Sequence, residues 1–318
     1  MVERRKKAIM TTLVNRKISI LEIQEFLNER GLDVNYSIPN TGLSIKKFST
    51  LEEVFEQSIL WIKNMDDFLH DKHNVDWKNV LIISNQVIDK PNYNSIASAN
   101  SKEVFFEIIQ HFFTVGTQYH ISEQAEVLTD KIGKNVSIGS FSFIDKDVVI
   151  GDHVIIKNNV SILGKVTIGD HTFINSGTVI GSEGYGYYKD SSGMNKKVPH
   201  LAGVMIGKHV DIGANTCIDR GTLSDTIIED HVKIDNLCHI AHNVHIEENV
   251  NVIALSMIAG SVRLKKDAYI APSASVRNQL TIGENALVGL GAVVVKNVED
   301  NQKVSGVPAR PMNKPRNP

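Results

Sequence analysis

An aliphatic residue recurs at every sixth position through most of this chain. Nine consecutive repeat positions between residues 132 and 180 are isoleucine, and the same spacing resumes over residues 206–218 and 228–294. A period of six fits neither the 3.6-residue turn of a helix nor the two-residue alternation of a long strand. We therefore predict short strands joined by turns, three to a triangular coil, in which each aliphatic side chain faces inward and stacks on the residue about 18 positions later.

Two interruptions break this spacing. Residues 181–205, which include GSEGYGYYKDSSGMNKKVPHLAG, are out of register, and the spacing slips by four residues at GTLSD, residues 221–225. Because a solenoid excludes inserted residues from its stack, residues 181–205 are predicted to leave it as an extruded loop. A ligand-covering role is favoured for a loop of this length over an ordinary surface excursion. The shorter slip is interpreted as structural.

The residues before the repeat follow other patterns. The stretch ISILEIQEFLNERG predicts an amphipathic helix that ends at Gly31, and STLEEVFEQSILWI predicts a second helix with a Ser/Thr cap. The stretch NVLIIS predicts a buried strand, and SKEVFFEIIQHFF predicts a further amphipathic helix. We therefore predict a mainly β protein with a small α/β domain over residues 1–118. The solenoid would follow over residues 119–313, and a short tail over residues 314–318.

Composition excludes several functional classes. Lys and Arg number 34 against 36 Asp and Glu, so the charge gives no reason to expect nucleic acid or an anionic membrane as a partner. The two cysteines, Cys217 and Cys238, are too few for a disulfide framework and fit a reducing, cytoplasmic setting. No stretch approaches the roughly 20 apolar residues that span a bilayer. Small molecules or proteins are the expected partners.

Three longer motifs carry a family resemblance. They are IGANTCIDRGTLSDTIIEDHVKIDNLCHIAHNVHI at residues 212–246, MIAGS at 257–261 and SEGYGY at 182–187. The chain thereby resembles the UDP-3-O-acylglucosamine N-acyltransferases, hexapeptide-repeat enzymes of lipid A and lipopolysaccharide synthesis. The resemblance implies a left-handed parallel β-helix behind a uridine-binding domain, and a homotrimer. It also implies a nucleotide-linked amino sugar as acceptor and acyl carrier protein or acyl-CoA as donor, with no permanently bound cofactor.

HIAHNVH, residues 239–245, has a histidine at every third position. The resemblance assigns the general base to His242, and an imidazole with a reference pKa of about 6.5 can take a proton from an attacking amine at neutral pH. It also implies that the backbone N–H of Gly260, one coil later, donates to the developing oxyanion. Asp235 and Asn236 in KIDN would orient and support the ring.

The flanking His239 and His245 are interpreted as solvated side chains, although His239 stays a candidate substrate contact. A zinc site is the sharper alternative, because some hexapeptide enzymes collect histidines from two subunits around the metal. The IDRG and AHN motifs account for His242 without a metal, so none is predicted. Cys238 is expected to pack inward rather than to bind a metal.

Candidate substrate contacts lie in the first domain and in the loop. By the resemblance, Trp61 and Asn64 in ILWIKNMDDF would hold uracil, with Phe68 as a second ring, because stacking supplies affinity and an amide supplies base selectivity. The alternative is that Trp61 belongs to the core of the domain. Tyr185 and Tyr187 of SEGYGY are the candidates in the extruded loop.

Three features depart from the family pattern. Gln279 in SVRNQLTI stands where the family usually has a second active-site histidine, and it is kept as a substrate contact. The chain stops at KVSGVPARPMNKPRNP, without the C-terminal helix that the lipid A enzymes present to acyl carrier protein. GVPARP resembles the ending of acetyltransferases that use acyl-CoA, in which Lys303 or Arg310 would meet CoA phosphates. In GLGAVVV, Leu290, Ala292 and Val294 are predicted along the acyl groove, and Ala292 and Val294 stand where the family tends to carry larger residues.

The sequence therefore predicts an N-acyltransferase that moves an acyl group from a pantetheine thioester to the amine of a nucleotide-linked amino sugar. The nearest single assignment is the lipid A enzyme that acts on UDP-3-O-acylglucosamine. The alternative within the same chemistry is a CoA-dependent N-acyltransferase that makes a sugar for a surface polysaccharide. A zinc hexapeptide enzyme and a noncatalytic scaffold are the alternatives from other classes.

Overall fold

The computed structural model describes residues 17–63, 75–88, 90–114 and 118–311. The chain divides into two compact units, residues 1–117 and 118–318. Within the described ranges, none of the helices is both long and apolar enough to cross a membrane.

The first unit contains a five-stranded sheet and two helices. Four strands run parallel, and one edge strand runs antiparallel to its neighbour. In sheet order the strands are Asn35–Ser37, Asn94–Ala97, Val80–Ser84, Ser58–Trp61 and Lys47–Ser49. The other elements are helix α1 (Ile20–Glu29), helix α2 (Ser101–Phe113), a 3₁₀ turn at Trp77–Asn79, and an antiparallel pair formed by Ile18–Ser19 and Ser44–Ile45.

Both helices follow from signals in the local sequence. Helix α1 begins after Ser19, whose Oγ accepts a hydrogen bond from the Glu22 amide (3.2 Å), and the Glu22 carboxylate accepts one from the Ser19 amide (2.8 Å). This reciprocal cap satisfies two amides that a helix start otherwise leaves without partners. Helix α2 buries an apolar stripe in the same core as α1. The two predicted amphipathic helices and the buried strand Val80–Ser84 are confirmed.

The helix predicted in STLEEVFEQSILWI is wrong. Residues 51–57 form bends and a turn, and Ser58–Trp61 is a strand between Lys47–Ser49 and Val80–Ser84. The spacing of glutamates and apolar residues suits a helix, but SILW is an apolar run whose central residues are fully buried in the sheet. Pairing with two neighbouring strands outweighs the local helical pattern, because strand stability depends on such partners more than on local propensity.

The second unit is a β-solenoid with one parallel sheet on each side of a triangular coil, as predicted. One sheet contains Glu126–Val127, Phe143–Ile144, Ser161–Ile162, Val179–Glu183, Cys217–Arg220, His239–Ile240, Met257–Ile258, Ser275–Val276 and Val293–Val294. The second contains Val148–Ile150, Val166–Ile168, Val204–Ile206, Thr226–Ile228, His245–Ile246, Arg263–Leu264 and Thr281–Ile282. The third contains Ser137–Ile138, Ile155–Ile156, Phe173–Ile174, Asp211–Ile212, Lys233–Ile234, Asn251–Val252, Tyr269–Ile270, Leu287–Val288, Lys303–Ser305 and, antiparallel, Arg310–Pro311.

The core of the solenoid is the column of aliphatic side chains that the six-residue repeat predicts. From residue 138 to residue 294, every repeat position in register is at most 3% exposed. Ile144 pairs with Ile162, and Ile162 pairs with Ile180, so successive coils stack with the predicted spacing. Fully burying one such side chain contributes about 1.5–3 kcal/mol, and each coil obtains that burial only from its neighbours.

The stack continues across both interruptions. Ile180 pairs with Ile218 rather than with a residue 18 positions on, and Ile206 pairs with Ile228. The extra residues leave the coil at these two points. In the longer excursion, Tyr187–Lys189 and Asn195–Lys197 form an antiparallel hairpin.

Corner residues of the coils repeatedly adopt a left-handed backbone conformation, with φ between 54° and 64°. Many are asparagine or histidine, which tolerate this region better than most residues with a side chain. One corner carries His153, His171, His209 and His231, whose parallel rings lie 4.7–5.0 Å apart. We call these four residues the histidine ladder.

Candidate active site

His242 lies in the turn that follows strand His239–Ile240, with its side chain half-buried. Its Nδ1 is 3.0 Å from Oδ1 of Asn243. A neutral imidazole has one donor nitrogen and one acceptor nitrogen, so the atom that carries the hydrogen decides what the ring can do. The partners of Asn243 settle which atom that is.

The side-chain amide of Asn243 is held in one orientation. Its Nδ2 lies 2.7 Å from the Ser224 carbonyl, which can only accept, so this atom must be the donor nitrogen. Its Oδ1 accepts hydrogen bonds from the Thr222 hydroxyl (2.7 Å) and the Thr222 backbone N–H (3.3 Å). Because Oδ1 only accepts, Nδ1 of His242 donates to it. Nε2 of His242 therefore keeps the free lone pair that a general base needs.

The residues that orient Asn243 come from the four-residue slip. Thr222 and Ser224 belong to GTLSD, which the sequence suggested was structural only. Asn243 itself has φ = 59° and occupies a coil corner. Its role was missed, although the asparagine of the AHN motif was the signal that could have identified it. The slip thus fixes the tautomer of the candidate base.

Asn243→Gly tests this chain of hydrogen bonds, because glycine accepts the left-handed backbone and removes only the amide. We expect turnover to fall by about 10²-fold as the ring loses its fixed tautomer and position. Stability should fall by about 1–3 kcal/mol, because Ser224 and Thr222 lose their partner. Asn249→Gly is the matched control: Asn249 has φ = 61° at another corner and bonds Asp267. Equal turnover losses in the two variants would contradict the assignment.

The predicted contact between Gly260 and His242 is present. A Cβ atom added at Gly260 would lie 2.8 Å from both Cε1 and Nε2 of His242. No described residue accepts a hydrogen bond from the Gly260 N–H. A free backbone donor therefore adjoins the Nε2 lone pair, and acyl transfer uses this combination of base and oxyanion donor.

The hydrogen bonds that Asp235 and Asn236 make with other described residues go to backbone groups and not to His242. The Asp235 carboxylate accepts from the N–H groups of Asn236 (2.7 Å) and Ala254 (3.3 Å). Oδ1 of Asn236 accepts from the Ala214 N–H (2.6 Å). These bonds tie the turns of neighbouring coils together. Within the described chain, Asn243 orients His242 in the way that was predicted for Asp235.

The other two histidines of HIAHNVH lie in different surroundings. His245 belongs to another sheet of the solenoid, where its Nε2 is 2.6 Å from Oε1 of Glu229. His239 lies in the strand that precedes His242, and its Nε2 is 3.7 Å from Oδ2 of the buried Asp219. Asp219 also accepts a hydrogen bond from the Ser182 hydroxyl (3.0 Å). Both rings therefore have carboxylate neighbours rather than solvent alone.

The residues that the structure describes include no group of three or more His, Cys, Asp or Glu side chains that could hold a metal ion. Cys238 is buried, as predicted. Cys217 pairs in register with His239, and partial burial together with the nearby Asp219 carboxylate raises the pKa of its thiol. A thiol with a raised pKa stays protonated at neutral pH and is a poor metal ligand or nucleophile.

His200, which the sequence did not single out, reaches His242 from the extruded loop. It is 2% exposed, and its ring packs edge-to-face on His242, with centroids 5.2 Å apart and planes at 72°. Its Nδ1 lies 2.9 Å from the Val198 carbonyl and must be the donor nitrogen. Gly184 leaves room for both rings, since a Cβ atom there would lie 3.0 Å from each of them.

The predicted loop contacts Tyr185 and Tyr187 are exposed, with ring centroids 4.9 Å apart. An ion pair between Lys197 and Glu183 braces the base of their hairpin, and the hydrogen bond from Lys197 lowers the pKa of the Glu183 carboxyl. The loop therefore approaches His242 through Gly184 and His200, while its tyrosines face solvent. A substrate role for the two tyrosines stays a prediction.

The predicted acyl groove is wrong for two of its three residues. Ala292 and Val294 are at most 1% exposed and belong to the solenoid core, because both occupy inward positions around strand Val293–Val294. Their side chains cannot line an external groove. Leu290 is exposed at a corner and remains a candidate.

The remaining predicted residues of the second unit are all exposed. Gln279 occupies the corner one coil beyond Gly260, and its N–H donates to the Gly260 carbonyl (3.0 Å). Lys303 and Arg310 lie on the last two strands of the solenoid. Their roles in substrate or CoA binding stay predictions.

In the first unit, Trp61 is partly buried and packs against the core, and its indole N–H donates to the Ser101 hydroxyl (3.2 Å). It also lines a cavity of about 430 Å³ together with Phe48, Phe105 and Phe106. Both interpretations of Trp61, as a core residue and as a ligand contact, are therefore compatible with its position. Asn64 and Phe68 lie outside the described residues.

Comparison with known proteins agrees with these features. Residues 131–164 and 147–182 match the family model of the bacterial transferase hexapeptide (six repeats). The chain is 45% identical over 136 residues to UDP-3-O-acylglucosamine N-acyltransferase 2 of Legionella pneumophila (strain Lens), an alignment that covers 43% of this chain and 39% of that protein. The chain therefore contains hexapeptide repeats and is similar, over less than half of its length, to UDP-3-O-acylglucosamine N-acyltransferases.

Two further similarities were found. The chain is 39% identical over 139 residues to a probable UDP-3-O-acylglucosamine N-acyltransferase 2, mitochondrial, of Arabidopsis thaliana, in an alignment that covers 44% of this chain and 46% of that protein. The alignments thus span less than half of these relatives. The fold matches the crystal structure of a UDP-N-acetylglucosamine acyltransferase from Bacteroides fragilis 9343, with a TM-score of 0.55 and 27% identity over 61% of this chain and 74% of that chain.

Proposed function

We propose that the protein is an N-acyltransferase, which moves an acyl group from a pantetheine thioester to the amine of a nucleotide-linked amino sugar. The observation that carries the proposal is the Nε2 lone pair of His242 beside the N–H of Gly260, neither of which has a hydrogen-bond partner among the described residues. The first takes a proton and the second donates to an oxyanion, and acyl transfer to an amine uses both.

In the proposed reaction, the amine nitrogen attacks the thioester carbonyl, and Nε2 of His242 accepts the proton that the nitrogen loses. The carbonyl oxygen becomes an oxyanion and accepts a hydrogen bond from the Gly260 N–H. When the carbon–sulfur bond breaks, the thiolate leaves and takes the proton from the charged His242 ring. An amide and a thiol are the products, so atoms and electrons balance without an oxidant or reductant.

The preferred acceptor in this proposal is UDP-3-O-acylglucosamine, because the names of the similar proteins include that compound. The aromatic cavity beside Trp61 supports a nucleotide, since its rings can stack on a base. We keep a homotrimer and a role in lipid A synthesis as parts of the proposal. The other proposed substrate contacts are Asn64, Phe68, Tyr185, Tyr187, His239, Gln279 and Leu290.

A second candidate differs in its donor and its acceptor. It is a CoA-dependent N-acyltransferase that acts on another nucleotide-linked amino sugar for a surface polysaccharide. The observation that favours it is the exposure of Lys303 and Arg310 on the last strands of the solenoid, because basic side chains there suit the phosphates of CoA.

Parallel assays separate the two candidates. UDP-3-O-acylglucosamine and other nucleotide-linked amino sugars are each incubated with hydroxyacyl carrier protein and with the matching acyl-CoA, and the product is followed by mass spectrometry. We expect an N-acylated product from the carrier protein and UDP-3-O-acylglucosamine. Product from acyl-CoA and a different amino sugar alone would support the second candidate. The absence of product from every pair contradicts N-acyl transfer, and the His242→Ala protein corrects for spontaneous aminolysis.

A further inference from the structure

His200 carries a buried nitrogen that has no hydrogen-bond partner among the described residues. Its Nδ1–H donates to the Val198 carbonyl, so Nε2 has a lone pair, and this atom is shielded from solvent. A buried acceptor without a donor lowers stability, and such atoms are few in folded proteins. Departures of this kind concentrate at functional sites, so the neighbours of Nε2 indicate its role.

The ring of His200 packs edge-to-face with that of His242, with centroids 5.2 Å apart, and Nε2 of His200 borders Gly184, which also borders His242. Gly184 lies between the two, since its added Cβ would be 3.0 Å from Nε2 of His200 and 3.0 Å from Cδ2 of His242. Gly260 borders the same His242 ring at Cε1 and Nε2. The ring of His242 thus lies between Gly184 of the extruded loop and Gly260 of the next coil.

We infer that His200 is a positioning residue for His242: its ring fixes the plane of the candidate base, and its Nε2 lone pair stabilises the positive charge that His242 gains during acyl transfer. This inference rests on the proposed function. A neutral imidazole is most negative at its acceptor nitrogen, and a dipole that is already oriented in a shielded site needs no reorganisation when charge appears nearby. The same burial that leaves Nε2 without a partner makes its field stronger.

Two substitutions test the contributions of the two ring nitrogens of His200 separately. His200→Gln keeps a polar acceptor near the Nε2 position, whereas His200→Asn keeps only a group near the Nδ1 position. We expect H200N to lower kcat about tenfold with KM unchanged, because the charge on His242 loses its partner while the substrates bind as before. We expect H200Q, which retains the acceptor, to keep kcat within about threefold of the wild type.

Tyr36→Phe is the matched control for these variants. The Tyr36 hydroxyl is also buried with no partner among the described residues, but it belongs to the first unit, whereas His200 and His242 belong to the second. Its kcat should equal that of the wild type, and melting temperatures are measured for all variants in parallel. The inference is overturned if H200N turns over as fast as the wild type. It is also overturned if the loss of kcat in H200N and H200Q simply follows the loss of melting temperature, because that pattern indicates general destabilisation.

A second measurement does not depend on acyl transfer. Diethyl pyrocarbonate acylates unprotonated imidazole nitrogens, and peptide mass spectrometry gives the rate at each histidine. We expect His242 to react about tenfold more slowly in H200N, since its ring loses the group that stabilises positive charge. The exposed His171 and His209 of the histidine ladder should react equally in both proteins and serve as internal standards.

The two measurements distinguish failure of the inference from failure of the proposed function. If the wild-type protein shows no acyl transfer but His242 still reacts more slowly in H200N, the proposed function is wrong and the effect of His200 on His242 is retained. If His242 reacts equally fast in the wild type and H200N, the inferred effect of His200 on His242 is wrong, whatever the transfer assay shows.

Discussion

His242→Ala is expected to lower kcat for acyl transfer by about 10²- to 10⁴-fold, the range that a positioned general base contributes. The folded protein should melt at nearly the same temperature, because the ring is half-buried and Asn243 keeps its bonds to Thr222 and Ser224. Initial rates of N-acylated product formation, measured by mass spectrometry at saturating substrates, give the change in kcat. A loss below threefold would eliminate the general-base assignment.

His245→Ala is the control for that variant. His245 is three residues further along the same HIAHNVH stretch, but it lies on another sheet and contacts Glu229. Removal of this partly exposed pair should change stability by no more than about 1 kcal/mol and leave turnover unchanged. A comparable loss of turnover in both variants would indicate a general effect of the substitutions on this stretch of the solenoid.

Gly260→Ala is the second variant with a large expected effect. The added methyl group would lie 2.8 Å from Cε1 and Nε2 of His242, which is too close, so the ring must move. The ring is the end of a side chain, and its displacement should cost little stability. Alanine keeps the backbone N–H, so only the position of the base changes. We expect kcat to fall by about 10²-fold, the effect of a misplacement of about 1 Å.

The double variant His242→Ala/Gly260→Ala tests that explanation. If the methyl group acts by moving the ring, it has nothing to displace once the ring is absent, and the double variant should turn over like His242→Ala alone. Losses that multiply would show that Gly260→Ala acts on the substrate instead. Gly42→Ala adds the same group where it meets only an ordinary contact at 3.5 Å, and its turnover should match that of the wild type.

Most of the solenoid could be predicted because its core is encoded by one repeated constraint. A residue every six positions has to be aliphatic if it faces the interior, and Ile144, Ile162 and Ile180 stack as that rule requires. The contact between Gly260 and His242 follows from the same spacing, since one coil separates them. Periodicity therefore predicts neighbours within the stack well.

Periodicity does not reveal what leaves the stack or which partners a strand has. His200 lies in the extruded loop, and Asn243 is oriented by Thr222 and Ser224 in the slip, so neither contact has a fixed sequence offset. Ser58–Trp61 was predicted as helix because its partners are distant in sequence. Ala292 was assigned to the groove by comparison with the family, although its own repeat position faces inward.

A regular solenoid has translational symmetry, so each coil offers a ligand nearly the same surface as the next, and no single coil is distinguished. The two interruptions break that symmetry at one level of the stack, where one contributes His200 and the other contributes Thr222 and Ser224. Inserting or deleting a whole coil elsewhere would leave one site intact. Moving either interruption by one coil would separate the loop from the base, which makes the distance between the two interruptions the quantity that defines the site.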